Sequence, residues 1–564
     1  MLAVQYNVYM SLPHSFGQST LFDIQNLLGQ QFAADDRYRI FCEVVYPRLA
    51  AVRPVLQACY CLDNGRPGVE PVTLLGISVL QFMERLPDRS AIEMVRYHSG
   101  WRLALRLDLG LTAPDPSTLC NFRQRLLAHE QAKIAFDAVL AGLQEMGLVR
   151  QRGRQRLDST HVLGAVARLS SLECVRQATR LALTELKQIP GLRLPEFFEG
   201  LWERYVDNKL DYGLEEAALE RKYQQTGVDV LALLTWVGQQ EPAVREGANV
   251  KLLERVFGEH FEVVEGSAQK RRRPAGSVQN PHDPDAQWSS KGKTGKAGWV
   301  GYKAQVSETA AAEAVKDGEP TVGFITAIET QEATGSEVAG MQQVLDAQEK
   351  SGLERPAELY VDAGYVSAET MKQAQDAGGE LVGPALGSSH QAEGFKTEDF
   401  QVDVENRQAV CPEGKLNSGC TRAVDAQTGK ATFRFEWGGQ CQQCPRRGSC
   451  FKSGSGGRTL EVGEHHQYLQ ERRREQKTPE FQERMKRRNG IEGTISELVR
   501  GHGLRRSRYR GLPKTQMCNY FIGAACNVKR LIRRVAHGIG QGVHCALEAA
   551  KTAAALPSAA FADD

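Results

Sequence analysis

The chain has 564 residues, of which 41% are hydrophobic and 24% are charged. These fractions are close to those of soluble globular proteins and exclude wholesale disorder, while the length suggests three or four folded units. The start lacks the basic lead and apolar run of a secretory signal, and no stretch reaches the roughly 18 apolar residues that a membrane-spanning helix needs. We therefore expect a cytoplasmic protein with no membrane partner.

The formal net charge of +2 hides an uneven distribution. Residues 471–534 contain 18 Lys and Arg against 6 Asp and Glu, a local charge of +12, so the rest of the chain carries −10. Concentrated positive charge attracts polyanions because neutralised phosphates release counterions. A solvated basic helix surface would give the same count, so the position of this segment in the fold decides between the two interpretations.

Residues 1–150 are predicted to form helices joined by short loops. The segment TLLGISVLQFMERL has apolar residues at helical spacing, and Asp115 followed by Pro116 is typical of a helix start. Arg123 and Arg125 follow on that helix. The region is either a small helical DNA-binding module or a plain helical scaffold.

The segment RQRLDSTHVLG is predicted to form a strand that ends at Asp158. Helical periodicity follows and predicts a helical insertion over residues 165–265. Residues 266–297, rich in Gly, Ser, Pro, Lys and Arg, are predicted to form a flexible basic loop.

Alternating strands and helices come next, in the order WVGYKAQVSET, TVGFITAIET, a helix, AELYVDAGYVS, a helix and ELVGPAL. The strand before Asp362 is apolar enough to be buried. Residues 151–164 and 298–400 are thus predicted to form a mixed α/β core with a five-stranded sheet covered by helices.

Five of the 13 cysteines fall within 40 residues, inside a small insertion predicted over residues 401–460. A CPEG segment, a C-x-x-C and a further cysteine suit tetrahedral thiolate coordination of structural zinc, against the alternative of free thiols. A thioredoxin-type redox site lacks its βαβ context. The expected ligands are Cys411, Cys441, Cys444 and Cys450, and Cys420 could compete as a ligand.

Three acidic residues, Asp158, Asp362 and Glu492, could together hold two divalent cations around a phosphodiester. Such chemistry needs hard oxygen ligands, usually carboxylates, from several elements. They are 204 and 130 residues apart, and spacing alone does not select them from 68 acidic residues. Each one taken alone is more typical of a surface or capping carboxylate.

The segments QRLDSTHV, ELYVDAGYVS and RNGIEGTISELVRGHGLRRSRYRGLPKTQMCNYFIGAACNVKRL resemble the three catalytic blocks of insertion-sequence transposases with a DDE site. Residues 74–149 are similar to the InsH-type N-terminal domain of the same enzymes. The resemblance implies an RNase H-like core in which Asp158, Asp362 and Glu492 are catalytic and bind Mg²⁺ or Mn²⁺. It also implies cleavage of double-stranded DNA at terminal inverted repeats, followed by joining of the 3′-hydroxyl ends to target DNA.

In the last block, Arg488 precedes Glu492 by four residues, as in the family pattern. Gly490 and Gly493 flank the glutamate, where the family usually has a larger residue after it, so Glu497 is an alternative. The residues expected to bind DNA are Arg123, Arg125, Arg488, Arg505, Arg506, Arg508, Tyr509, Arg510, Lys514, Lys529 and Arg530. His161 is more typical of a structural histidine than of a metal ligand, and His282, Asp283 and Asp285 have no assigned role.

Basic C-terminal helices over residues 461–535 are expected to complete the core, followed by an Ala-rich, frayed tail over 536–564. Because two transposon ends must be brought together, we expect a homodimer or a higher multimer. Two other interpretations stay open: a regulatory DNA-binding protein with an inactive site, and an RNase H-like structure-specific nuclease that never rejoins DNA.

Overall fold

The computed structural model describes residues 28–61, 68–107, 112–208, 213, 215–291, 297–310, 323–387, 394–450 and 456–540. Within these ranges, eight α-helices precede the first strand: α1 Arg37–Ile40, α2 Tyr46–Ala51, α3 Arg53–Gln57, α4 Pro71–Glu84, α5 Asp88–Tyr97, α6 Ser99–Ala104, α7 Ser117–Ala128 and α8 Ile134–Glu145. The first strand is β1 Arg154–Leu163. Among the described residues, five α-helices follow it: α9 Ser171–Lys187, α10 Phe198–Trp202, α11 Glu216–Gly238, α12 Pro242–Arg245 and α13 Ala248–His260.

The middle of the chain alternates strands and helices: β2 Phe261–Val264, β3 Ser267–Lys270, β4 Gln287–Lys291, β5 Ala297–Thr309, β6 Ile325–Glu332, α14 Glu337–Lys350, β7 Glu358–Tyr360, α15 Ala368–Asp376 and β8 Glu380–Val382. The remaining elements are β9 Gln401–Asp403, β10 Gln408–Val410, β11 Gly419–Val424, β12 Ala431–Glu436, α16 Arg447–Cys450, β13 Thr459–Gly463, α17 His466–Glu475, α18 Pro479–Met485, α19 Gly490–His502 and α20 Leu512–Gly540. Short 3₁₀ turns include Ala363–Tyr365 and Lys486–Asn489. The architecture is mixed α/β.

The central sheet has six strands in the order β4-β5-β1-β7-β8, with β6 paired to β5. Strands β1, β7 and β8 run parallel, whereas β5 is antiparallel to β1 and β6 is antiparallel to β5. The sheet is therefore mixed, as the sequence predicted, but it has one strand more than the predicted five. The extra strand is β4, which pairs with the first part of β5.

Strand β4 lies in the segment for which a flexible loop was predicted. Residues 266–297 include β3 and β4, and Val278, Asp283 and Ala286 have no exposed surface. Polar composition suggested a loop, but the backbone pairs with neighbouring strands and its apolar residues are buried by tertiary contacts. This corrects the expectation for the residues described there.

Strand β1 also extends past the predicted end at Asp158. Pairing with β5 continues through Leu163, where Gly301 is the partner, and Asp158 itself pairs with Val306. Asp158 therefore lies inside β1. The partner strand β5 begins 133 residues after Gly164, so no local pattern could mark where β1 ends.

Helix α20 covers the edge of the sheet that β6 would otherwise expose. The Asn527 side chain accepts from the Ile325 amide and donates to the Ile325 carbonyl, both at 2.8 Å. Gln516 accepts from the Thr330 amide and donates to the Ile328 carbonyl. An uncovered edge would leave backbone groups unpaired, so these polar residues replace a neighbouring strand.

The same helix holds the N-terminal helices against the sheet. Phe521 of α20 stacks on Phe82 of α4, with ring centroids 5.2 Å apart, and Phe136 of α8 is fully buried beside it. Helices α9, α11 and α13 form a separate hydrophobic core, and strands β9 to β13 form small sheets around another. Strands therefore dominate the cysteine-bearing unit.

At the C-terminal end, α20 continues through the start of the predicted frayed tail as far as Gly540. The rest of that tail, 541–564, lies outside the described residues, as do residues 1–27 of the predicted N-terminal domain. Across the part of the chain that the structure describes, every helix is too short or too polar to cross a membrane.

Candidate active site

Asp158 and Asp362 lie close together where the parallel pairing of β1 with β7 ends. The last registered pair between the parallel strands β1 and β7 is Arg156 with Tyr360, and each aspartate follows two residues later. Residues two apart on a strand point to the same face, and neighbouring strands are about 4.8 Å apart. Parallel pairing therefore joins two carboxylates that are 204 residues apart in the sequence.

The pKa of Asp158 reflects this crowding. Burial raises the pKa above its usual value, and the charges of Asp362 and Glu337 add to the rise. The Ser159 amide, 2.7 Å from Oδ1, and the Arg488 guanidinium act in the opposite direction. A carboxylate that is repelled by its neighbours is a good ligand for a divalent cation, because the cation relieves the repulsion.

Arg488 connects Asp158 with Glu492. Its Nη2 is 2.8 Å from Asp158 Oδ2, and its Nη1 is 3.5 Å from Glu492 Oε1, one helical turn away. The side chain of Asp158 is 17% exposed and that of Glu492 is 69% exposed. Glu492 therefore stands on the solvent side of the arginine, and the structure brings all three predicted acidic residues to one region.

Glu337 is an acidic residue at this site that the sequence analysis missed. It begins α14, and its carboxylate accepts from Lys303 Nζ at 2.9 Å and from Gln305 Nε2 at 2.8 Å. Ser159 Oγ lies 3.3 Å away. The sequence offered only a weak signal, since a glutamate in the first turn of a helix is ordinarily explained by the helix dipole.

Four carboxylates from four elements suit a hard divalent cation, which prefers oxygen ligands. Asp362 orients one oxygen toward the Gly364 amide at 2.8 Å, which fixes its side chain at the start of the 3₁₀ turn. Of these residues, Asp158, Asp362 and Glu492 could hold the cation. Glu337 already accepts from three side chains and is better placed to orient the others.

Among the described residues, the group whose ligand atoms all lie within 4.8 Å of one another is a different one, Glu497, His502 and Cys526. Its surroundings are unsuitable, because Arg530 donates to Glu497 at 2.8 Å and Arg533 approaches it at 3.4 Å. Burial lowers the pKa of His502 to about 4, and nearby cationic side chains add to that shift. The positive charge around Glu497 opposes binding of a cation there and favours Glu492 over this alternative.

The two glycines beside Glu492 have different explanations. A Cβ on Gly490 would lie 1.8 Å from a guanidinium nitrogen of Arg156, whereas a Cβ on Gly493 would have no neighbour within 4 Å. Gly490 therefore gives Arg156 room against the helix. The helix forms despite both glycines because Ile491, Thr494 and Leu498 bury its inner face.

Two residues that were expected to bind DNA are buried instead. Arg123 is 5% exposed and pairs with Asp88 at 2.5 Å. Arg530 is 3% exposed and pairs with Glu308 and Glu497, both at 2.8 Å. Both side chains are occupied inside the protein, which corrects the expectation that they face DNA.

Other predicted DNA-binding residues differ in exposure. Four are exposed: Arg506, Arg508, Arg510 and Lys514. The rest, Arg125, Arg488, Arg505, Tyr509 and Lys529, are partly buried. Arg125 lies over the ring of Tyr60 at 4.0 Å, and Arg505 donates to the carbonyl of His161 at 2.9 Å.

Two of the residues without an assigned role, Asp283 and Asp285, connect separate elements of the fold by hydrogen bonds. Asp283 accepts from Tyr302 at 2.6 Å and from the Gly511 amide at 3.0 Å, and Asp285 accepts from the Leu512 amide at 2.9 Å. The two aspartates thus cap the start of α20 from a distant part of the chain. His282 is exposed, and the ring of His161 packs on Trp299 at 4.9 Å.

The four predicted zinc ligands line one pocket. Cys411, Cys441, Cys444 and Cys450 all face it, and Cys420 does not. Burial raises the pKa of the Cys450 thiol, Arg458 opposes the rise, and the other three thiols add to it. The Arg458 amide lies 3.3 Å from Cys441 Sγ, an interaction that suits a thiolate. Four thiols are a donor set typical of structural zinc sites.

Two families of known proteins match parts of the chain. A sequence model described as a transposase DDE domain matches residues 410–532, and one described as a transposase domain (DUF772) matches residues 26–125. The first range includes Glu492 and the cysteine-bearing unit, but neither Asp158 nor Asp362. No curated protein matches the chain.

One solved structure is similar: a cryo-EM structure of the piggyBac transposase synaptic complex with hairpin DNA. The two chains are 10% identical, the match covers 86% of this chain and 79% of that chain, and the TM-score is 0.22. At that TM-score the likeness supports no conclusion about the fold.

Proposed function

We propose, from the premise that this chain belongs to the DDE-type insertion-sequence transposases, that it cleaves DNA at transposon ends and joins the 3′-hydroxyl ends to target DNA. The sheet order, with a parallel β1, β7 and β8 beside an antiparallel β5 and β6, supports an RNase H-like core. The reaction is phosphoryl transfer supported by two divalent cations, Mg²⁺ or Mn²⁺.

One observation carries the proposal: Asp362 follows the end of β7, two residues beyond the pair of Arg156 with Tyr360, its charge acts on Asp158 of the neighbouring β1, and Arg488 joins Asp158 to Glu492. Asp158, Asp362 and Glu492 would hold the cations, with Glu492 on the solvent side of Arg488. Arg488 orients the two carboxylates that it contacts. Two cations held there would supply activation of the attacking oxygen and stabilisation of the leaving one.

The substrate is double-stranded DNA, both at the terminal inverted repeats and at the target. Support comes from the exposed Arg506, Arg508 and Arg510 of the loop before α20. The backbone of this loop bonds to Leu163, so the arginines lie at the end of the strand that carries Asp158. Arginines so placed would contact backbone phosphates and hold the duplex in register.

A homodimer or a higher multimer follows from the reaction, since two ends must meet before they are joined. Size measurement on the protein bound to a pair of end duplexes tests it. One copy of the chain for each end is expected, and a lone chain holding two ends would contradict it.

The test of the activity is a strand-transfer assay on the element's own ends with Mg²⁺, comparing wild type with Asp362→Ala. Loss of a cation ligand should reduce product by about a thousandfold or more, since the two-cation arrangement contributes several kcal/mol. Asp376→Asn is the matched control, because that carboxylate is exposed and pairs only with Lys372 one helical turn away.

The outcomes separate the other interpretations. Product that persists in Asp362→Ala removes this residue from the site. Cleaved ends without joined product would indicate a nuclease, and a wild-type protein that binds ends but neither cuts nor joins them would indicate a regulatory DNA-binding protein.

We also propose that the four cysteines of the pocket hold a structural zinc ion. Elemental analysis of the purified protein should find about one zinc per chain. Cys444→Ser should lose it, whereas Cys420→Ser, which changes a thiol outside the pocket, should retain it. Equal zinc content in both variants would contradict the assignment.

A further inference from the structure

The turn after α4 contacts the basic loop between α19 and α20, and we call this region of contact the seam. Arg85 Nη1 donates to the Arg500 carbonyl at 2.9 Å, and Arg508 Nη1 donates to the Leu86 carbonyl at 3.4 Å. Beneath these contacts, the ring of Tyr509 lies 6.0 Å from the Arg123 guanidinium. The N-terminal helices and the catalytic region thus share one surface at this seam.

The surface of the seam is cationic. Its exposed side chains include Arg85, Arg89, Arg500, Arg506, Arg508 and Arg510. Two neighbouring acidic side chains are paired elsewhere, since Asp88 contacts the buried Arg123 and Glu84 contacts Arg37 at 3.6 Å. The exposed Asp115 interacts electrostatically with Arg89, and Glu93 is exposed one helical turn after it, so the arginines outnumber the acidic side chains near them.

The backbone of Arg85 gives a second indication. Arg85 ends α4 in the left-handed conformation, with φ of 58°, at a position where glycine is usually favoured. A residue with a Cβ costs about 1 kcal/mol there. The arginine has no conformational advantage there, and its exposed guanidinium donates to the Arg500 carbonyl in the last turn of α19, which keeps its charge at the surface.

We propose that the turn carrying Arg85 and Arg89 contacts the phosphates of duplex DNA together with the basic loop. This inference rests on the proposed function and extends it, because it makes the N-terminal helical region part of the same DNA surface. The loop bonds to Leu163, five residues after Asp158 on β1. At roughly 3.3 Å per residue, Leu163 is about 17 Å from Asp158 along β1, which is the length of about five base pairs of duplex.

The experiment measures binding of the full-length protein to a labelled duplex of the element's own end, in EDTA, over a range of salt concentrations. The variant is Arg85→Gly with Arg89→Gln, in which glycine also suits the left-handed backbone, so folding is preserved. The control is Arg221→Gln with Arg245→Gln, which removes the same charge from exposed positions on α11 and α12.

Affinity falls as salt rises, and loss of two phosphate contacts should reduce the steepness of log affinity against log salt by about 1.8, whereas the control should keep the wild-type slope. A slope unchanged in the Arg85 and Arg89 variant, or lowered equally in the control, overturns the inference and leaves the proposed function intact. A wild-type protein that does not bind the duplex overturns both.

Discussion

Two groups of charged residues adjoin on the same face of β1 and differ in how completely their charges are matched. Around Arg156, the buried Glu308 accepts from Arg156 at 2.6 Å, from Thr494 at 2.6 Å and from Arg530 at 2.8 Å. Two residues along the strand, Asp158 lies among other carboxylates with Arg488 as its cationic partner. In the first, which we call the closed group, each charge is paired with an opposite charge. In the second, which we call the open group, negative charge is in excess.

The difference separates structural charge from functional charge. A buried ion pair that uses its hydrogen-bonding capacity stabilises the chain only as long as every partner remains. A group of carboxylates that repel one another costs stability and is retained where an external cation is bound. Sequence features alone, Arg and Glu on late helices, do not distinguish the two cases.

The largest expected effect comes from breaking the closed group. Arg530→Met leaves Glu308 short of a partner in the protein interior and should lower the free energy of unfolding by about 3–5 kcal/mol. Arg533→Met removes a cation that is 62% exposed and contacts Glu497 at 3.4 Å, so it should change stability by less than about 0.5 kcal/mol. Chemical denaturation of both variants checks the contrast, and equal stability would show that the closed group is not structural.

Glu329 on β6 is an intermediate case, partly buried and bonded to Tyr520 at 2.9 Å. Burial raises its pKa from the model-compound value of 4.5 to about 7. Folding then favours the protonated form, so stability should fall as the pH rises from about 4.5 to about 7, by at most about 3 kcal/mol.

Glu329→Gln removes the ionisation and should flatten that part of the stability profile. The variant should be more stable than wild type above neutral pH, as measured by thermal unfolding at several pH values. Parallel profiles for the two proteins would show that Glu329 titrates normally.

The two glycines beside Glu492, Gly490 and Gly493, lie between the two groups and offer a matched pair of substitutions. Gly490→Ala would push the Arg156 guanidinium away from its place beside Glu308 and should cost about 1–3 kcal/mol. Gly493→Ala meets open space and should stabilise the helix by about 1 kcal/mol. Denaturation midpoints that move in the same direction for both variants would contradict this assignment.

The smallest effect on stability is expected in the open group. The pKa of Asp158 is raised in the folded protein, so at neutral pH its charge destabilises the fold, and Asp158→Asn removes that cost. Stability should stay within about 1 kcal/mol of wild type or increase slightly, while strand transfer is lost. A large loss of stability would place Asp158 with the structural charges.

Through resemblance, the sequence predicted Asp158, Asp362 and Glu492 of the open group, and it predicted a mixed sheet. It also indicated four cysteines as one zinc-binding set. It did not identify Glu337, and it placed Arg123 and Arg530 on the DNA side although both are buried. Arg530 and Glu308 are 222 residues apart in the chain, so no local pattern could reveal that they pair.

What the sequence determined by itself was local: residue types that suit helices, strands and metal ligands, and blocks of residues similar to those of a known family. Only the tertiary structure decided which charges are matched. Strand β1 brings Asp158 next to Asp362 because it pairs in parallel with β7, and it brings Arg156 to Glu308 because it pairs with β5. The energy of a charge depends on its neighbours and on burial, and long-range strand pairing sets both.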